Sequence, residues 1–257
     1  MAIGRVIGLW RHPVKSMAAE PLTIGDVGDE GIVGDRRFGV VETESGKLLS
    51  AKRHPQLLNL RPVRRDDGEV LIYDPASAVT ASDDPEIDAW LSDRLGFSVS
   101  LVRVAPEQRR TVEMDTDDGV LEFDTQPGSF FDGRSTVHVI TTASLATASA
   151  HYRDGAWERE RFRPGILIET DGVGAGDWPE DGWVGREIDL GGPAGVRLRV
   201  QKLTRRCVMV TRAQERLPED REILRTLARV HDANLGVGCV VSGIGRVAVG
   251  DDVTFRS

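Results

Sequence analysis

The chain has 257 residues, 40% of them hydrophobic and 29% charged, with a formal net charge of −8 at pH 7. That length buries a core without staples, and the acidic balance argues against nucleic-acid binding, which leaves a net basic footprint. No apolar run reaches the roughly 18 residues of a transmembrane helix, and "MAIGRVIGLWRHPVKS" lacks the sections of a signal peptide, so a cytoplasmic protein without membrane contact is expected.

Taken in chain order, "RVIGLW", "PLTIG", "RFGVVE", "KLLSA", "LNLRPV" and "EVLIY" are short strand candidates separated by Gly, Asp and Pro. Their spacing fits a small barrel or sandwich. "DPEIDAWLSDRLG" predicts a first helix, with Pro85 near its start and Gly96 after its end. Ile87, Trp90, Leu91 and Leu95 share one face. The acidic stretch 106–119, "PEQRRTVEMDTDDG", reads as a solvated loop or a soft boundary. "TTASLATASAHY" predicts a second helix capped by Thr141 or Thr142. "LPEDREILRTLARVH" opens with Pro218 and acidic residues, and Ile223, Leu224, Leu227 and Val230 recur at helical spacing. Short strands, "GCVVSG", "RVAVG" and "DVTF", close the pattern.

Two glycine-rich stretches do not make nucleotide sites. "GVGAGD" has Asp177 where a third glycine belongs and runs into "WPEDGW", while "GIGRVA" leads into a strand. Neither presents a helix N-terminus to a pyrophosphate. The five histidines (His12, His54, His138, His151, His231) are scattered without metal-site spacing and read as core or surface residues.

More informative is where the cations fall. "HPVKS", "GDRRF", "AKRHP", "RERFRPG" and "TRRC" are basic spots in an acidic chain, several beside Gly or Pro at strand ends. If they converge, they form a pocket for an anionic small molecule; otherwise they are scattered surface charge. The two cysteines cannot form a disulfide framework in a chain this long, and both are expected as free thiols. Cys207 follows Arg205 and Arg206, whose charge favours the thiolate that ligates soft metals or attacks electrophiles. Cys239, in "GVGCVVSG", has no charged neighbour and reads as packing.

The motifs also carry a resemblance. "LWRHPVKSM", "GIVGDRRFGVV" and "LLSAKRHPQL" look like the N-terminal β-barrel domain that accompanies MOSC domains. "FFDGRSTVHVITTASLA", "RFRPGILIE", "TRRCVMVT", "ILRTLARV" and "SGIGRVAVGDDV" resemble the MOSC (molybdenum cofactor sulfurase C-terminal) domain itself. That family includes the mitochondrial amidoxime-reducing component and bacterial proteins that detoxify N-hydroxylated bases. The resemblance implies a mainly β fold with a few helices (α+β), its N-terminal β-barrel domain (1–104) packed against a β-barrel-like MOSC domain (105–257). It implies the molybdenum cofactor, Mo-molybdopterin, bound between them with Cys207 as metal ligand and catalytic residue. Lys15, Ser16, Arg36, Ser135, Arg163 and Arg206 match the cofactor-contacting positions.

The chain departs from the pattern on the presumed substrate side. Gly165 stands where the family has asparagine after "FRP", Arg205 where it has serine, "VMVT" retains only Thr211 of a threonine-rich segment, and Gly238 stands where an aromatic is usual. The implied function is reduction of small N-hydroxylated substrates (hydroxylamines, amidoximes, N-hydroxy bases). With no cysteines to spare for an iron–sulfur domain, electrons are expected from a separate electron-transfer protein. The alternatives are a sulfur-transfer or cofactor-carrier protein using a Cys207 persulfide, and a degenerate MOSC protein binding another anion.

Overall fold

Strand β1, Ala2–Arg11, buries Gly4, Val6 and Gly8 in alternation, as a strand with one face on a core must. A register shift between Val6 and Gly8 breaks the alternation, after which Leu9 and Trp10 are buried as well. This is a computed structural model, describing residues 2–256 apart from 77, 106, 108, 117–118, 126–129, 131–134, 173 and 175.

Six further strands complete a closed barrel with β1: β2 (Val137–Thr141), β3 (Ile166–Thr170), β4 (Glu187–Leu190), β5 (Val196–Arg205), β6 (Asn234–Gly243) and β7 (Asp252–Phe255). Their order around the wall is β3–β2–β6–β5–β4–β7–β1, and β1 pairs antiparallel with both β7 and β3, so the ring closes. The seven-strand ring has no free edge of its own; the short strand Glu20–Leu22 adds to the end of β1 outside it. Val6, Val139, Ile166, Ile168, Ile188, Leu198, Val200, Val237 and Cys239 fill the interior. The mainly β fold expected from the sequence is the fold observed.

Helix α1 (Ile87–Leu95) ends at Gly96 in the left-handed conformation, φ +83, as the sequence predicts. Its buried residues Ile87, Leu91 and Leu95 enter a second core with Val14, Phe38, Leu57 and Ile72. Trp90, on the same face, stays partly exposed under the Arg94 guanidinium, 3.6 Å from its ring centre. Short sheets surround this core: Phe38–Glu42 with Val99–Arg103, and Arg61–Arg64 with Val70–Tyr73 and Val79–Ala81.

Helix α2 (Thr142–His151) carries the crossover between the parallel strands β2 and β3. Thr141 is its cap, accepting from the Ser144 amide at 3.1 Å. The small residues that blur its periodicity are the ones it buries: Ala143, Ser144, Thr147 and Ala148 let it lie close to the wall. Glu180 is fully buried against the same helix start, accepting from the hydroxyls of Thr141 (2.7 Å) and Ser144 (2.6 Å). Burial pushes its carboxyl up despite those donors.

Two expectations need correction. "KLLSA" forms no strand; Leu48 makes only isolated bridges, to Val41 and Val112. Within the stretch 106–119, Thr111–Thr116 pairs antiparallel with Gly119–Asp124 in a hairpin, because Val112 is buried beside Leu48 and Phe130. A short helix that the sequence did not announce, α3 (Arg159–Phe162), follows α2. The amphipathic α4 (Glu222–His231) then buries Ile223 and Leu227, starting four residues after Pro218. No helix among the described residues is long and apolar enough to cross a membrane.

Candidate functional site: a cationic cleft around Cys207

Where β1 ends, the chain turns through His12–Ser16. The Lys15 amide donates to the Phe38 carbonyl (2.8 Å), and its Nζ reaches the Phe130 carbonyl at 3.0 Å. Ser16 sits at φ +69, a conformation a non-glycine residue adopts only when its surroundings hold it there. Here the buried Ser16 Oγ accepts the Ala51 amide at 3.0 Å. Arg36 is also left-handed, φ +47, and donates its amide to the His12 carbonyl at 2.7 Å. Asp35 joins the two turns: Oδ1 accepts from the His12 amide at 2.5 Å, and Oδ2 pairs with Arg36. Burial pushes the Asp35 carboxyl up even beside that guanidinium.

The second wall is built by α3, β5 and the turn beyond it. Arg163, at φ +54, caps α3 in the left-handed region. Of six non-glycine residues with positive φ among those described, three (Ser16, Arg36 and Arg163) are expected cofactor contacts. Two more, Asp232 and Ala233, adjoin the Arg206 backbone, whose amide donates to the Ala233 carbonyl at 2.7 Å. Held strain of this kind concentrates at functional sites.

Cys207 lies between β5 and a 3-10 turn, Val208–Thr211, and arginines hold it on both sides. Arg206 Nε donates to the Leu235 carbonyl and Nη1 to the Phe162 carbonyl, both at 2.9 Å, while Nη2 contacts Leu235 O and His138 Nε2. Arg161, 1% exposed, donates to the carbonyls of Ala156 (2.8 Å), Val210 (3.3 Å), Arg212 (3.2 Å) and Pro218 (2.7 Å). It therefore ties down the turn that follows the cysteine. Thr211, the retained threonine, is buried and donates to the Val208 carbonyl at 2.8 Å, so its role is to close that turn.

Burial lowers the Arg163 and Arg206 guanidinium pKa values to about 9, and for Arg163 the neighbouring charge of Arg36 adds to the effect. An anion in the cleft would relieve both. His138 is held well below the usual histidine range, first by burial and then by Arg206, and stays neutral. Its Nε2 accepts from Arg206, which leaves Nδ1–H facing the Arg163 carbonyl at 3.5 Å.

The seven expected site residues, Lys15, Ser16, Arg36, Ser135, Arg163, Arg206 and Cys207, all line one cleft of about 340 Å³. Among the described lining residues, seven are cationic (Lys15, Arg36, Arg161, Arg163, Lys202, Arg205, Arg206) and none carries a carboxylate. The basic spots of an acidic protein thus converge, except "AKRHP", which lies outside the lining. Ser135 Oγ donates to Gln201 Oε1 at 3.0 Å, and Gly238 makes room for it: a Cβ there would fall 2.8 Å from Ser135 Cβ. At Gly165 a Cβ would meet Ile32 Cδ1 at 2.9 Å, so the space of the family's asparagine is partly filled by an isoleucine.

Sequence reasoning missed His138, Arg161, Lys202 and Thr204 as cleft residues. One signal was available: in "TVHVIT" Val137 and Val139 point into the barrel, so period-two alternation puts His138 on the opposite face. The cysteines separate as expected in surroundings. Cys207 is half-buried in the cleft, whereas Cys239 is wholly buried in the barrel core, where desolvation pushes its thiol up to about 12.

The chain is similar to a molybdenum cofactor sulfurase from Danio rerio, 25% identical over 265 residues that cover 90% of this chain and 31% of that protein. It therefore spans less than a third of that relative's length. Among solved structures, the YuaD protein from Bacillus subtilis superposes with a TM-score of 0.51 at 12% identity, covering 97% of this chain and 93% of that one. YiiM from Geobacillus stearothermophilus gives 0.37 at 10% identity, over 60% of this chain and 73% of that one. The MOSC N-terminal beta barrel domain matches residues 3–84, and the MOSC domain matches residues 125–254, half of the chain. With the closed barrel and the ordered motifs, these matches make the chain a member of the MOSC domain family.

Proposed function

We propose that this protein is a molybdenum-cofactor-binding oxidoreductase that reduces small N-hydroxylated compounds. The observation that carries the reading is the gathering of Lys15, Ser16, Arg36, Ser135, Arg163 and Arg206 around the half-buried Cys207 in one cleft. The donor set fits the group: a soft thiol for a metal already bearing sulfur ligands, and cations for a phosphate. The buried Thr204 Oγ1, without a partner among the described residues, is a further polar atom in the cleft that a ligand would satisfy.

When bound, the cofactor supplies the two-electron redox chemistry. The chain's residues hold and orient. Arg163 and Arg36 would receive the phosphate, Lys15 and Ser16 would fix the pterin, and Arg206 and Arg161 keep Cys207 in place through their carbonyl contacts. In the net reaction the substrate N–O bond breaks, and two electrons and two protons enter. An amine or amidine leaves together with water. A separate electron-transfer protein is proposed as the electron source.

A second reading has one observation in its favour, the similarity to a protein named a molybdenum cofactor sulfurase. In that reading Cys207 carries a persulfide. Metal and pterin analysis of protein made in a molybdenum-replete host separates the two. The oxidoreductase reading expects molybdenum and pterin near one per chain, both lost in Cys207→Ala, and turnover of amidoximes with an artificial donor. A fully loaded Cys207→Ala protein would remove the ligand assignment. Sulfane sulfur on Cys207 without molybdenum would establish the transfer reading.

A further inference from the structure

The cleft carries more cationic groups than the cofactor contacts account for. Arg161 and Arg206 are occupied by backbone carbonyls, and Arg36 is paired with Asp35. Lys202 and Arg205 differ from these. Both are exposed, both line the cleft on β5 just before Cys207, and neither side chain has a hydrogen bond or ion pair among the described residues. Some exposed arginines elsewhere find carboxylates, as Arg5 does at Asp252, Arg65 at Asp83 and Arg246 at Asp26, whereas Arg153, Arg199 and Arg216 find none among the described residues. What sets Lys202 and Arg205 apart is that both of these unpaired cations line the cleft that holds Cys207.

The backbone of β5 supplies a second observation. Lys202 and Arg205 are three residues apart, a spacing that would send them to opposite faces of a regular strand. Register shifts between Val200 and Lys202 and between Leu203 and Arg205 re-aim the side chains so that both reach the cleft. Thr204 lies between them with Oγ1 buried and unpartnered. A guanidinium fork, an ammonium and a hydroxyl donor on one short segment match the acceptor pattern of a carboxylate.

We propose that Lys202, Thr204 and Arg205 form an anion subsite beside Cys207 that selects N-hydroxylated substrates bearing a carboxylate. The proposal rests on the reductase reading and names its substrate class. The carboxylate is a spectator: an amidoxime takes two electrons and two protons, its N–O bond breaks, and amidine and water leave while the acid group stays bound to the subsite.

The test compares para-carboxybenzamidoxime with its methyl ester on molybdenum-loaded protein, using an artificial donor at low salt. The acid is expected to show a KM at least about tenfold below the ester's, the scale of one charge-assisted hydrogen bond. Lys202→Ala/Arg205→Ser should raise the acid's KM about tenfold more than the ester's, and added salt should narrow the gap. Equal KM values, or equal effects of the double variant on both compounds, would overturn the proposal. Loss of pterin from the double variant would also overturn it, by assigning the pair to the cofactor. If no N-hydroxylated compound turns over, the reductase reading fails by itself. The subsite is then decided by calorimetric binding of para-carboxybenzamidine, where about tenfold weaker binding to the variant supports it and unchanged binding rejects it.

Discussion

Arg206 Nη2 and His138 Nε2 are in direct hydrogen-bond contact, and the same guanidinium holds the carbonyls of Phe162 and Leu235. One side chain therefore joins β2, the end of α3, the start of β6 and the residue before Cys207. A lysine has the charge but not the planar fork that spans these acceptors. Arg206→Lys should lose about 2–4 kcal/mol, seen as a fall in Tm on the order of 10 °C. On the proposed cofactor reading, it should also lower molybdenum content more than the neighbouring Arg205→Lys does. Retention of both stability and metal would show that the clamp is dispensable.

Arg161 makes a complementary prediction. Its buried guanidinium serves four backbone carbonyls, and removing it leaves acceptors without donors. Arg161→Met should cost about 3–5 kcal/mol by chemical denaturation. Because the contacts are buried and made to carbonyls, the loss should be nearly independent of salt.

Gly236 tests the backbone beside the cleft. At φ +75, an added Cβ would lie 2.5 Å from the Val139 carbonyl oxygen and 2.8 Å from His138 Nε2. Gly236→Ala should destabilise by at least about 2 kcal/mol, from left-handed strain and a clash with backbone that cannot yield. Gly172, at φ +67 with open space around it, is the control, and alanine there should cost only about 1 kcal/mol. Equal Tm losses in the two variants would discount the clash.

The pH dependence follows from the two buried histidines. His12 is held well below the usual histidine range by burial and then by Arg163, Arg36 and Arg159, and His138 by burial and then by Arg206. In the unfolded chain both bind protons near pH 6.5, whereas the folded protein resists protonation until lower pH. Stability is therefore fully present above about pH 6.5 and falls on acidification below it, by up to about 1.4 kcal/mol per pH unit for each histidine. Burial raises the carboxyls of Asp35 and Glu180, which act in the opposite sense as pH rises through their folded values. His12→Gln should flatten the slope of the urea midpoint between pH 6.5 and 5. An unchanged slope would remove His12 as a source.

How much of this was legible in the sequence differed by element. α1 was readable in full because its determinants are local: an early proline, one apolar face and a glycine that ends it in the left-handed region. The closed barrel was legible in kind, since strand-rich spacing is a chain-level pattern, but its register shifts carry no local signature. The cleft residues were named through ordered motifs and not through geometry. Nothing in the residue types says that Lys15 and Cys207 share a wall, nor that Ser16, Arg36 and Arg163 take positive φ. Arg161 could not be told from Arg159 or Arg163 within "RERFRPG", because only its surroundings make it a clamp. His138 looked like one more scattered histidine until the strand set it against Arg206.

The first strand meets its neighbours in the ring late. Only Leu9–Arg11 at its end pair locally, with residues 20–22; the rest of β1 pairs with residues 166–170 and 252–254, so a growing chain carries that part without a partner until almost all of the barrel has been made. Contacts at such sequence separations form slowly, and an unpaired strand edge is a template for association with other chains. Lys15 and Ser16 follow directly on that strand, so the cleft cannot be completed before the ring is. A ligand of the cleft would therefore meet a complete site only once folding has ended, and the seam that closes the barrel and one wall of the cleft are set by the same stretch of chain.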